Sequence, residues 1–183
     1  MNYAEIKYCD IANGPGVRTS LFVSGCTHHC ENCFNSVAWD FDYGQPFDNT
    51  VIEKILESCA PAYVTGLTLL GGEPMEPENQ PALLPLLKAF REKYPQKSIW
   101  CYSGYTYEQL TGKVPARCRC ESTDEMLSLV DVLVDGRFVQ ALYDISLRFR
   151  GSSNQRLIDL KKTLESGEVV LWTGDPALKR GWK

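Results

Sequence analysis

Gly25-Cys26-Thr27-His28-His29-Cys30-Glu31-Asn32-Cys33-Phe34-Asn35 follows a short apolar run, Ser20 to Val23, and the junction between them decides how this chain is read. Val17–Val23 reads as the first strand, entered from a loop, Asn13-Gly14-Pro15-Gly16, whose glycines and proline suit a turn. A cysteine loop at the C-terminal end of a strand occupies the place where parallel α/β sheets hold ligands. Cys26, Cys30 and Cys33 stand in Cys-x3-Cys-x2-Cys spacing. Three thiolates so close together cannot pair off into disulfides, but they can hold a metal or an iron–sulfur cluster. Against the four irons of a cubane, three ligands leave one iron open.

Working outward, strands alternate with helices. Residues 36 to 48 read as a loop packed by Trp39, Phe41 and Tyr43. Thr50-Val51-Ile52-Glu53 matches a capping box, and Val51, Ile52, Ile55, Leu56 and Cys59 share one face of the helix that follows. Leu67–Leu70 reads as a buried strand running into Gly71-Gly72-Glu73-Pro74, where two glycines permit close approach of a ligand or another backbone. A helix over Pro81–Tyr94 turns Leu83, Leu86, Leu87 and Phe90 inward, with Pro85 disturbing one turn.

Ser98–Tyr102 and Asp131–Gly136 supply further strands, the latter with Asp135 at its exit. Tyr107–Leu110 reads as a short helix, Ser122-Thr123-Asp124-Glu125 as a second capping box, Arg148–Arg156 as a loop, and Glu168–Trp172 as a last strand. The alternation, without hairpin dipeptides, predicts an α/β chain with a mainly parallel sheet. A single domain over 1–183 is expected, its core at about 13–160 and a short strand and tail over 161–183.

Composition narrows the function. The net charge of −4 argues against a general nucleic-acid surface. No run has the length of a membrane span, and Met1–Asp10 lacks the order of a signal peptide, so a cytoplasmic setting is expected. In a reducing compartment eight cysteines read as ligands or free thiols before disulfides. The basic Leu178–Lys183 reads as a solvated tail. Cys59 reads as a small core residue, Cys118 and Cys120 as surface thiols, and Cys9 and Cys101 as ordinary thiols.

For Cys26, Cys30 and Cys33 three readings compete. Structural zinc takes four ligands, for which His28 or His29 would have to serve within a tight loop. A ferredoxin-like electron carrier needs a fourth cysteine, for which Cys118 and Cys120 are the candidates. The third reading is a four-iron cluster whose open iron binds a cofactor.

The spacing Cys26-x3-Cys30-x2-Cys33 resembles the signature of the radical S-adenosylmethionine superfamily, and Gly71-Gly72-Glu73-Pro74 resembles that superfamily's methionine-binding motif. Within it, five features resemble in order the family of activating proteins of anaerobic ribonucleoside-triphosphate reductase. They are Asn13–Arg18, the Cys30–Asn35 segment, Trp39, Val132–Gly136 and Arg150–Arg156. That resemblance implies a partial, open (β/α) barrel with the cluster at the C-terminal strand ends. It implies a [4Fe-4S] cluster on Cys26, Cys30 and Cys33, and S-adenosylmethionine chelated at the fourth iron. Gly71, Gly72 and Glu73 would meet the methionine end, and Asn32, Cys33 and Phe34 would border the nucleoside. Asp135, with Arg137, sits where related activases carry an Asp-x-Lys pair near the cofactor.

One-electron cleavage would then give methionine and a 5′-deoxyadenosyl radical, which takes hydrogen from a glycine of the large reductase subunit. An electron donor such as flavodoxin is implied, and a homodimer or a complex with the reductase dimer is compatible. Two other readings stand beside this one. The first is a radical S-adenosylmethionine enzyme acting on another glycyl-radical enzyme or a small molecule. The second is a metal-binding structural or electron-transfer module.

Overall fold

The computed structural model describes residues 1–174. The basic tail Leu178–Lys183 lies outside them. A single seven-stranded sheet organises the described residues, in the order β3-β1-β2-β4-β5-β6-β7. Its strands are β1 (Asn2–Asp10), β2 (Val17–Val23), β3 (Gln45–Pro46), β4 (Val64–Gly71), β5 (Ser98–Tyr102), β6 (Val132–Asp135) and β7 (Arg156–Asp159). The central strands β2, β4, β5 and β6 pair in parallel, and the outer pairings β1–β2, β1–β3 and β6–β7 are antiparallel. The architecture is therefore mixed α/β, with the parallel part confined to the four strands joined by helical crossovers. The sheet is open at both edges.

Among the described residues five helices, α1 (Asn49–Ser58), α2 (Gln80–Lys93), α3 (Tyr107–Leu110), α4 (Thr123–Leu129) and α5 (Leu160–Ser166), fill the connections or follow β7. Alternation along each strand sends one set of side chains toward the helices. Leu21, Val23, Leu67, Leu69, Ile99, Cys101, Leu133 and Ile158 pack there with Ile55, Leu83, Leu86, Leu87, Phe90 and Met126. Completely removing a leucine-sized side chain from water contributes roughly 1.5–3 kcal/mol, so this apolar layer is the main source of stability. The other face carries a smaller cluster, Trp100, Val132 and Val134 with Tyr102, Phe149, Leu157 and Trp172 against it.

On that second face lies Arg18, with no accessible surface. It donates to Thr68 Oγ1 (2.7 Å), Ser98 Oγ (2.9 Å) and the carbonyls of Leu67 (2.8 Å) and Ser98 (3.0 Å), so every acceptor is neutral. Burial lowers its pKa to about 10. Thr68 Oγ1 in turn donates to the Asn13 carbonyl at 2.8 Å, which ties the Asn13–Gly16 loop to the sheet.

Several local expectations change. The cap of α1 is Asp48, which accepts from Val51 N at 3.0 Å, so the helix begins before the Thr50 box. Ser122 makes no capping bond; Thr123 Oγ1 instead donates to the buried Gln80 Oε1 at 2.7 Å. Glu168–Trp172 forms only an isolated bridge, Leu171 to Ile158, not a strand. Cys118 is fully buried in the main core, not at the surface. Residues 36–46 contain a 3-10 turn (Ser36–Trp39) as well as β3. The antiparallel β1 carries no simple alternation in sequence. Its register against β2 breaks twice, between Tyr3 and Glu5 and between Lys7 and Asp10, and Cys9 adopts φ 56°.

No helix among the described residues is long and apolar enough to cross a membrane.

Candidate iron–sulfur and cofactor site

Loops at the C-terminal ends of β2, β4, β5 and β6 surround a cavity of about 640 Å³, within the range typical of small-molecule and cofactor sites. Cys26, Cys30, Asn32, Cys33 and Phe34 line one side; Gly71, Gly72 and Glu73 line another. Two segments that the sequence separates by some forty residues therefore share one cavity. Asn13, Tyr102, Gly136, Phe149, Arg150 and Gln155 are also among its lining residues.

The cysteine loop is held residue by residue. Thr27 gives both its backbone N–H (2.8 Å) and its hydroxyl (2.5 Å) to Glu76 Oε1. His28 Nε2 lies 3.0 Å from Glu73 Oε2. The His29 ring stacks on Trp39, with centroids 4.5 Å apart and planes 7° from parallel. All three residues between the first two cysteines thus have a fixed partner. Asn32 adopts φ 54°, a left-handed conformation that a short polar side chain tolerates better than an aromatic one. This accounts for an asparagine before the third cysteine.

The Gly71-Gly72-Glu73 turn is stitched to the same loop. Gly72 N–H donates to Val23 O (2.7 Å) and Glu73 N–H to Gly25 O (2.8 Å). A Cβ on Gly71 would lie 2.6 Å from the Phe22 backbone, and one on Gly72 would lie 2.6 Å from Gly25 O. Close approach of backbone to backbone explains both glycines, the second alternative left open in the sequence.

Glu73 is buried, and its side chain accepts from Met75 N (2.8 Å) and Gly104 N (2.6 Å) besides facing His28. Three residues beyond it, Glu76 is fully buried. Tyr105 OH lies 3.4 Å from both Glu76 oxygens. Burial pushes Tyr105 up to about 12, with Glu76 and Glu73 adding to the effect, so the phenol stays a proton donor. Burial likewise pushes Cys26 up to about 12, reinforced by both carboxylates and opposed by the His28 and His29 amides. Ligation through Cys26 would therefore release its proton.

These residues fit an iron–sulfur cluster. Thiolates are its donors, and three cysteines line the cavity with no fourth among its lining residues. Cys118 is committed to the core, and Cys120 Sγ faces Gln80 Oε1 at 3.3 Å, so neither is brought to the loop. Among the described residues no three Cys, His, Asp or Glu side chains converge on one point as ligands of a single ion do. Ligands of a cubane bind separate irons and need not converge.

Asp135 and Phe34 lie differently from a simple cofactor wall. Asp135 is buried and accepts from Tyr107 N (2.7 Å) and from Arg156 Nε (2.9 Å) and Nη2 (2.5 Å); it is not among the residues lining the cavity. Phe34 does line it, but at the rim, with 84% of its surface exposed. Arg137 reaches back to the His29 carbonyl at 3.4 Å. The Arg150–Arg156 loop closes around Gln155, whose Oε1 accepts from Gly151 N (2.9 Å) and Ser152 N (3.1 Å) while Nε2 donates to Gly136 O (3.0 Å).

Thr27, Glu76 and Tyr105 are not singled out by any motif in the sequence. The only signal was a second acid three residues after Glu73, and nothing in its spacing points to a loop fifty residues earlier.

Residues 12–158 match the family model described as a 4Fe-4S single cluster domain. Proteins named anaerobic ribonucleoside-triphosphate reductase-activating protein are similar over most of the chain. The one from Pasteurella multocida is 41% identical over 157 residues, covering 85% of this chain and 95% of its own. That of Escherichia coli K12 is 40% identical, covering 85% and 96%, and that of bacteriophage T4 is 38% identical, covering 86% and 93%. With the cysteine loop and the Gly-Gly-Glu turn meeting in one cavity, the chain belongs to the family of anaerobic ribonucleoside-triphosphate reductase-activating proteins.

Proposed function

We propose that the chain is a radical S-adenosylmethionine enzyme that installs a glycyl radical on the large subunit of anaerobic ribonucleoside-triphosphate reductase. One observation carries this reading: Cys26, Cys30 and Cys33 line the same cavity as Gly71, Gly72 and Glu73. When bound, a [4Fe-4S] cluster with S-adenosylmethionine supplies reductive cleavage of a sulfonium carbon–sulfur bond, and hence a 5′-deoxyadenosyl radical able to take hydrogen from glycine.

The protein's own part is to bind, orient and shield. Cys26, Cys30 and Cys33 supply three thiolates, and Thr27, His28 and His29 hold the spacer at fixed positions. The Gly71–Glu73 turn, bonded to Val23 and Gly25, would meet the methionine end of the cofactor. Asn32 and Cys33 border the nucleoside, with Phe34 at the rim where the target segment enters. Asp135 serves this wall indirectly, by fixing Arg156 and the start of α3.

The open sheet, with the 136–155 segment and Trp172 packed on its second face, serves as a partial (β/α) barrel around the cofactor. The chain works as one domain in the cytoplasm, with reducing equivalents from a donor such as flavodoxin. It acts as a homodimer or in complex with the reductase dimer.

The test is reconstitution without oxygen, with counts of iron and sulfide followed by dithionite and S-adenosylmethionine. Four irons per chain, 5′-deoxyadenosine, and a glycyl electron-paramagnetic-resonance doublet when the reductase is added are expected. Cofactor cleavage without the doublet would point to another glycyl-radical enzyme or a small molecule as target. Zinc in place of iron would sink the reading.

A further inference from the structure

Glu76 is a fully buried carboxylate with unequal surroundings. Its Oε1 takes both Thr27 donors, at 2.8 and 2.5 Å. Its Oε2 faces a cation only at 3.6 Å, the guanidinium of Arg117, whose side chain is 47% exposed and which also bonds Glu78 at 2.7 Å. Thr27 follows Cys26 directly. A line therefore runs from a surface arginine, through a buried acid, to the first cysteine of the loop.

Resting on the activase reading above, we propose that Glu76 is a positioning residue for the cysteine loop and that the Glu76–Arg117 pair sets the reduction potential of the cluster held there. Two physical effects are involved. Thr27 is held at two of its atoms by one oxygen, which fixes the backbone where the spacer leaves Cys26. Partners of this kind, one step behind the ligands, orient them and tune the metal. The second effect is charge. A cluster's potential follows the net charge, hydrogen bonding and solvent exposure around it, and a negative charge in a low-dielectric interior opposes the addition of an electron.

Glu76 therefore drives the potential down, and Arg117 partly offsets it. The two are not equal in strength. Glu76 has no solvent contact, whereas Arg117 is half exposed, shared with Glu78 and screened by salt. The balance remains negative, which suits a centre that must reduce a sulfonium. Tyr105 OH, 3.4 Å from both Glu76 oxygens, is a neutral donor and leaves this charge balance unchanged.

The test uses the full chain reconstituted with iron and sulfide, with midpoint potentials measured by electron paramagnetic resonance in the absence of cofactor. Glu76→Gln keeps an oxygen for Thr27 and removes the charge, so its midpoint should move positive. Arg117→Gln should move it negative by a smaller amount, and that smaller shift should shrink further at high ionic strength. The double variant should fall between the two. Glu76→Ala, which also removes the acceptor, should lose iron to a chelator several-fold faster than wild type, and Glu76→Gln should lie near wild type.

Shifts of the same sign in both glutamine variants, or no shift in either at full iron content, would overturn the electrostatic part. Unchanged iron loss in Glu76→Ala would overturn the positioning part. Should Glu76→Ala fail to fold, Glu76→Gln and the surface change Arg117→Gln still decide the electrostatic part, and Thr27→Val, which removes the hydroxyl donor to Glu76, decides the positioning part: faster iron loss is expected, and unchanged loss would overturn it. A wild-type chain that assembles no cluster would overturn the activase reading and this inference together, whereas a normal cluster indifferent to both residues would overturn this inference alone.

Discussion

The cavity has two irregular walls, and they are fastened in opposite ways. The cysteine loop is gripped from outside, by Glu73 and Glu76 from the segment after β4 and by the Trp39 ring. The turn from Arg150 to Gln155 on the other wall is gripped from within, by the neutral amide of Gln155, and only Arg156 at its end is tied to carboxylates, those of Asp135 and Glu108. A buried carboxylate is expensive without full compensation, so its use marks a place where charge serves more than shape. Where only shape is needed, one amide with both donor and acceptor suffices. The difference separates the wall that carries the three cysteines from the wall that carries none.

The sharpest way to break this contrast is to remove a ligand. Cys26→Ala, Cys30→Ala or Cys33→Ala should each abolish cofactor cleavage and strip the cluster, measured as iron and sulfide per chain. Cys118→Ala, buried in the core, should keep full iron and lose only about 1 kcal/mol of stability. If it loses the cluster instead, the three-ligand site is wrong.

Next in size is Arg156→Met, which leaves the buried Asp135 with only the Tyr107 amide among its present partners. Breaking a buried pair costs roughly 3–5 kcal/mol, and because Arg156 is one-third exposed the lower end is expected in denaturant titration. The same arginine bonds Glu108 and holds its carboxyl at about 2, below the ordinary 4.5. A depressed carboxyl stabilises the fold above its unfolded value and loses that contribution as pH falls. Wild type should therefore weaken between about pH 4.5 and pH 2, and Arg156→Met should lack this component of the acid limb.

Gln155→Ala tests the neutral wall. It strands the Gly151 and Ser152 amides and should cost about 1–3 kcal/mol. Cluster content should be untouched while glycyl-radical formation on the reductase falls. Loss of iron in this variant would erase the distinction between the two walls. The smallest effect belongs to Lys88→Ala, which removes a 2.7 Å ion pair with Glu125 in which both partners are half exposed. A change of about 0–0.5 kcal/mol is expected from thermal unfolding.

Much of this was legible in the sequence, for identifiable reasons. The strands β2, β4, β5 and β6 are buried on both faces and read as apolar runs. The inward residues of α2, Leu83, Leu86, Leu87 and Phe90, follow helical spacing and are fully buried. The cysteines announced themselves by spacing alone. What escaped depends on contacts far apart in the chain. Glu73 and Glu76 meet His28 and Thr27 across more than forty residues. Asp135 at a strand exit reads as a ligand or as one half of an ion pair, and nothing in the sequence marks Arg156, its partner in the fold, for that place. Arg18 looked like part of a strand motif, and only the fold reveals a buried cation serving neutral acceptors. At the chain's last strand the sequence misled, because Val169 and Val170 favour β structure where only one bridge forms.

The irregularity of β1 bears on how copies of the molecule behave toward one another. Its outer side is covered by β3 at two positions alone, Asn2 and Tyr3, which leaves most of a nine-residue edge without a strand neighbour among the described residues. A straight edge of that length is a template for edge-to-edge stacking. Two breaks in register and the left-handed Cys9 bend this edge, and Glu5 and Lys7 place opposite charges along it. An incoming strand would meet neither a regular row of donors and acceptors nor an uncharged surface. The bends therefore act as a guard on colloidal behaviour, keeping concentrated protein from zipping into aggregates along its least protected border.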